Sequence, residues 1–195
     1  MDDSDEEEVF VGKLASVFMY DSIIAGQTDF LYGFGTLFIK QSTLLLRGCG
    51  GGITAWKGTN TTFANKYGVY IADSAVLAAN TTVLRERKGK CSLGRPWNAL
   101  HRSVFMRTYL DASILPAGYT QWSGQPGGNF GANTTMAVYE THGPGNNPAA
   151  QKSGNITVVL DAAAVTPYLR PADVFMTREG RQPNVEWVDR AVLET

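Results

Sequence analysis

The stretch FIKQSTL, residues 38–44, decides the fold, because its shape returns along the chain. FMYDSII (18–24), YIADSAV (70–76) and FMRTYLD (105–111) share it: two large apolar residues, a variable one, a small polar pair or its equivalent, then apolar again. The four starts are separated by 20, 32 and 35 positions. A strand unit returning at intervals from about 20 residues upward is the mark of a solenoid whose coils stack side by side. Glycines punctuate these strands, and helical periodicity is weak throughout. Phe18, Phe38, Tyr70 and Phe105 are expected in equivalent layers of successive coils. An antiparallel sandwich also repeats strands with turn signals, and the uneven spacing keeps that alternative open.

The first interval reads as one tight coil. The later ones read as coils with inserted loops, GCGGGITAWKGTNTTFANKYG and LRERKGKCSLGRPWNALHRS, of the kind that collect on one face of a solenoid. Beyond residue 122 the pattern dilutes into SGQPGGNFGANTT and THGPGNNPAAQKSGN, both read as loops. ITVVLDAAAVTPYLRPADVF then reads as a strand followed by a short helical cap.

Composition agrees with a β-rich chain. Of 195 residues 44% are hydrophobic and only 18% charged, with 21 glycines. No run of about 18 apolar residues exists, so no membrane-spanning helix is expected. The net charge of -1 is uneven: MDDSDEEE carries six acids, which leaves 17 basic against 12 acidic residues over 9–195, a net of +5. Residues 1–8 are expected to be a disordered acidic tip and 9–195 a single β-helical domain. A charge of +5 without basic clusters carries no nucleic-acid signature.

Two cysteines, Cys49 and Cys91, flank the long insertions and permit one disulfide. Four N-x-S/T sequons, at Asn60, Asn80, Asn133 and Asn155, lean towards a secretory history and possible glycosylation. Several chemistries are excluded. GKCSLG is no nucleophile elbow, and His101 and His142 lack ligands at zinc spacing. GCGGG lacks the ending of a phosphate loop and more simply lets the backbone turn tightly. No cofactor is implied. What remains is GQTDFLYGFG (26–35), where Asp29 sits without a nearby cation, and LGRPW (93–97), where Arg95 and Trp97 present a guanidinium beside an aromatic plane.

In order along the chain, GQTDFLYGFG, GGGITAWKGTN, KYGVYIADS, LGRPWNALHRSVFMRTYLDASILPAGYTQW and VYETHGPG resemble the pectin methylesterases, the fungal branch most closely. The likeness covers residues 17 to about 145 and, more loosely, continues to 190. It implies a right-handed parallel β-helix and a secreted enzyme removing methyl esters from pectin. By that resemblance Asp29 is the nucleophile and Arg95 orients it. Trp97 packs against the sugar, and Trp56 is a weaker substrate contact. The family also carries an acid/base Asp and an oxyanion Gln in a G-[FY]-Q-D-T-L motif, which this sequence lacks. Counting back one coil from Asp29 puts Glu8 roughly at the acid and Glu7 at the Gln. The chain is therefore expected to match the C-terminal portion of the family domain and to turn over slowly. A non-catalytic polygalacturonate-binding solenoid and an unstable fragment are the alternatives.

Overall fold

The structure is a computed structural model that describes residues 8–59, 66–122, 130–177 and 182–193. Residues 1–7, with Glu7 and the rest of the acidic tip, and the sequon at Asn60 lie outside them.

Thirteen strands run through the described residues in three parallel sheets. The first sheet joins β1 (Val9–Val11), β4 (Leu31–Gly33) and β7 (Thr54–Trp56). The second joins β2 (Ser16–Tyr20), β5 (Thr36–Lys40), β8 (Gly68–Ala72), β10 (Arg102–Met106), β12 (Thr135–Tyr139) and β13 (Val158–Val159). The third joins β3 (Ile23–Gly26), β6 (Thr43–Leu46), β9 (Ala75–Ala78) and β11 (Tyr109–Leu110). The chain visits the three in turn, so each circuit is one coil of a parallel β-helix, wound in the right-handed sense of parallel crossovers. No antiparallel sandwich forms.

The polar pair of the repeat is a corner. Between the second and third sheets five coils turn on two residues each, and the first of these, Asp21, Gln41, Asp73, Arg107 or Glu140, takes a positive φ of 46–51°. The second is Ser22, Ser42, Ser74, Thr108 or Thr141. The hydroxyls of Ser22, Ser42, Ser74 and Thr108 donate to the carbonyl two residues back, at 2.7–3.0 Å. The Ser42 and Ser74 oxygens also accept the backbone N–H of Ser22 and Ser42, one coil away, at 3.1 Å. Serine and threonine thus cap the turn and link adjacent coils, which is why the sequence keeps them there.

Both faces of the second sheet are covered, and its strands therefore read as continuous apolar runs. Leu37, Ile39, Val69, Ile71 and Phe105 point into the solenoid. Phe38, Tyr70 and Val104 point outward beneath the C-terminal segment. That segment follows β13, after an earlier helix α2 (Pro148–Ser153), and comprises α3 (Ala162–Val165), a 3-10 turn (Thr166–Tyr168), α4 (Pro171–Val174) and α5 (Arg190–Leu193). The aromatic rings of Phe18, Phe38 and Tyr70 form a ladder with centroids 6.1 and 6.2 Å apart, extended by Tyr168 and Phe175. Phe105 does not join it. Val104 pairs with Tyr70 and Phe105 with Ile71, so the true interval is 34, and a one-residue shift turns a side chain to the other face.

The helix α1 (Thr81–Arg87), capped by Asn80, and β12 were both read from sequence as loop or passed over. The excursions open where the chain approaches or leaves the first sheet, after β7, β9 and β11, and their described residues Lys57, Trp97 and Trp122 border its outer face.

Candidate active site

Asp29 sits at the corner leading into β4. Its neighbours Phe30 and Leu31 are buried in the core, and Asp29 itself adopts φ 50° with its N–H donating to Gly52 O at 2.7 Å. Aspartate tolerates this left-handed conformation better than most residues, and it directs the carboxylate away from the core.

Arg95 reaches the same place from two coils further on. Leu31 pairs with Thr54, and Thr54 with Gly94, so the residue after Gly94 stands in the column of Tyr32 and Ala55 on the outer face of the first sheet. Leu93 anchors the segment inside the core, and the following Pro96 holds Arg95 extended. The Nε of Arg95 donates to Oδ1 and Oδ2 of Asp29 at 3.1 and 3.0 Å, and Nη2 donates to Oδ2 at 2.6 Å. Both side chains are largely shielded, at 19% and 17% exposure, so the pair is stronger than a surface ion pair.

The glycines at 48–52 serve this approach rather than a turn, since Gly50, Gly51 and Gly52 all have ordinary φ. A Cβ on Gly51 would lie 2.5 Å from the Arg95 guanidinium, and one on Gly52 2.7 Å from Gly94. A disulfide between Cys49 and Cys91, with Cα atoms 5.2 Å apart, ties the two strands of chain together beside them.

Asp29 lines a cavity of about 370 Å³ with Glu8, Thr28, Tyr32, Ala55, Trp97 and Trp122. The Tyr32 hydroxyl donates to Glu8 Oε2 at 3.0 Å, a bond that raises the tyrosine pKa. Trp122 lies under Arg95, with the guanidinium 3.9 Å from its ring centre. Trp97 leans on Phe34, 6.1 Å between ring centres, with the Lys57 ammonium 5.4 Å from the indole.

Trp56 is not in the cavity. It is fully buried inside the solenoid, its indole N–H donates to Gly35 O at 3.0 Å, and no substrate can reach it. The reason is strand parity: Trp56 follows Ala55, whose side points to the cavity, so Trp56 points to the core. Beside Trp97, the other tryptophan that meets the cavity is Trp122, which closes the PAGYTQW stretch but carried no separate signal beyond its type. Asn80, Asn133 and Asn155 are exposed. Among the described residues no cluster of His, Cys, Asp or Glu could hold a metal ion, and no helix is long and apolar enough to cross a membrane.

Fold and cavity together define a three-sheet parallel β-helix with a paired carboxylate on the outer face of one sheet. The pectinesterase family model matches residues 11–168, and the chain belongs to that family. It is 35% identical over 135 residues to a probable pectinesterase/pectinesterase inhibitor 33 of Arabidopsis thaliana, which covers 67% of this chain and 22% of that protein. In fold it is similar to the pectin methylesterase of Aspergillus niger, with a TM-score of 0.71 at 20% identity over 92% of this chain and 52% of that one. A pectin methylesterase solved in complex with a hexasaccharide gives 0.65 at 22% identity, over 85% of this chain and 52% of that one. The chain thus spans under a quarter of the curated relative and about half of each solved structure. With plant sequence relatives beside a fungal structural one, a particular likeness to the fungal branch is not supported.

Proposed function

We propose that this chain removes methyl esters from pectin, with Asp29 as nucleophile. The observation that carries the proposal is the shielded Asp29–Arg95 pair at the rim of a cavity flanked by Trp97 and Trp122. Arg95 holds the carboxylate aimed at the cavity. One Asp29 oxygen attacks the carbonyl carbon of a methyl galacturonate, and the carbon–methoxy bond breaks. Glu8 delivers a proton to the departing methoxide, which leaves as methanol. Water, losing a proton to Glu8, then attacks the sugar carbonyl of the anhydride. The bond to Asp29 breaks, and free galacturonate and the Asp29 carboxylate return. Tyr32 holds Glu8 in place through its hydroxyl, and the two tryptophans supply faces for the sugar rings.

Turnover is slow on this reading, because among the described residues Glu8 is the one acid beside Asp29 that lines the cavity, and the given sequence shows no G-[FY]-Q-D-T-L motif with the family's oxyanion glutamine. The disulfide and the exposed asparagines at 80, 133 and 155 support a secreted, glycosylated protein. A second reading, a polygalacturonate binder that does not hydrolyse, draws on the Lys57 cation beside Trp97, which suits a demethylated, anionic chain. Methanol release from methylated pectin tests both. Loss of release in Asp29→Asn and a decrease in Glu8→Gln support the esterase. Retention on demethylated pectin with no methanol from the unmodified chain supports the binder. Fast release indifferent to Glu8→Gln would overturn the role of Glu8.

A further inference from the structure

A second cavity, of about 540 Å³, opens on the other side of the solenoid, between the corner ladder and the C-terminal segment. Lys40, Asp73, Arg107 and Arg170 line it, with Leu169 to Ala172 and Leu193 forming an apolar wall. No residue is shared with the cavity of Asp29.

Among the described residues three cations and one carboxylate line it, with the carboxylates of Asp173 and Glu140 beside Arg170 and Arg107. Arg107 is already bound to the lining carboxylate, Nε to Asp73 Oδ1 at 2.6 Å and Nη2 to Oδ2 at 2.9 Å. Arg170 is bound to Asp173 at the start of α4. Of the three, only the Lys40 side chain has no hydrogen bond or ion pair among the described residues, although the residue is only 8% exposed. It follows Phe38 by two, so it emerges from the same outer face of the second sheet, and it pairs with Ala72, whose small side chain leaves the space in front of it open. The Lys40 stem is covered while the ammonium opens on the cavity, where it is free to meet an anion. The volume lies in the range of small-molecule pockets and admits a sugar acid.

We propose that this cavity binds a compact oxyanion, a carboxylate or phosphate group on a molecule up to monosaccharide size, with Lys40 as its anchor and Arg107 and Arg170 at its rim. Bound there, the anion completes the coordination of Lys40 and bridges the solenoid to the segment that covers it. The site is independent of the esterase reading, because the measurement is of binding and the Asp29 cavity takes no part.

Isothermal titration of the full chain with inorganic phosphate and, separately, with D-galacturonate tests the proposal, chloride at matched ionic strength serving as control. Saturable binding of either is expected, and which of the two binds identifies the source of the oxyanion. Lys40→Met keeps the length of the side chain, and it should weaken binding by about tenfold or more. Arg170→Gln, on the exposed rim, should weaken it severalfold, whereas Asp29→Asn should leave it unchanged. If Lys40→Met does not fold, Arg170→Gln carries the test alone. No saturable binding at millimolar ligand, or equal affinity in Lys40→Met and Arg170→Gln, would overturn the site.

Discussion

Arg95 grips Asp29 by both carboxylate oxygens across 66 positions of sequence. Because Nε reaches both oxygens while Nη2 reaches only Oδ2, the hold depends on the planar fork and not on charge alone. Arg95→Lys keeps the charge and loses the fork. Methanol release should then fall on the order of 10²-fold, as expected for a misplaced nucleophile, while the melting temperature changes little. Unaltered release would show that the guanidinium geometry is idle.

Gly51 should be sensitive in the same assay. The Cβ of Gly51→Ala meets the mobile end of Arg95 rather than backbone, so the guanidinium yields and the fold survives. Release should drop by about 10²-fold with a near-normal melting temperature. A large loss of stability with normal activity per folded molecule would contradict this.

Acid should loosen the solenoid through His101. Burial drives its pKa down from 6.5 to about 4, and its ring is held by Trp56 and by Ser103, itself bonded to Tyr119. The folded protein therefore takes up the proton less readily than the unfolded chain. Stability from this group is complete above about pH 6.5 and declines as pH falls towards 4, by about 1.4 kcal/mol per unit. Urea titrations at pH 7, 5.5 and 4 measure the slope. His101→Asn should be less stable at pH 7 but flatter across this window, and an unchanged slope would exclude His101 as the cause.

Reduction should weaken the fold. The Cys49–Cys91 bridge closes a separation of 42 residues, for which loop closure gives about 4 kcal/mol. Urea unfolding of the double Cys49→Ser, Cys91→Ser chain should show a loss of about 2–4 kcal/mol. No loss would mean that packing alone holds the two segments.

Much of this was legible because the corner is chemically demanding. Its serines and threonines stand at fixed positions, so the repeat through Ser22, Ser42, Ser74 and Thr108 could be seen without coordinates. Asp29 and Arg95 were legible as types out of place, an acid among apolar residues and an arginine before proline. What sequence could not supply was parity. Phe105 was assigned to the wrong face because every position of a strand covered on both sides is apolar and alternation gives no sign, and Trp56 because the three-residue strand TAW is too short to show alternation. The β12 strand escaped because TMAVY follows a long excursion and carries no strong signal of its own. Trp122 escaped because its role depends on where that excursion returns.

Coil lengths along the chain vary widely, yet the two-residue corner between the second and third sheets accepts no insertion in five successive coils. That edge works as the spine of a bound book: pages of unequal width can be sewn to it without slipping against one another. Segments such as 57–67 and 111–134 are then free to lengthen, shorten or change composition without moving Arg95 relative to Asp29. Relatives of this chain can accordingly differ in what the outer face of the first sheet meets, while the distance between those two side chains stays fixed.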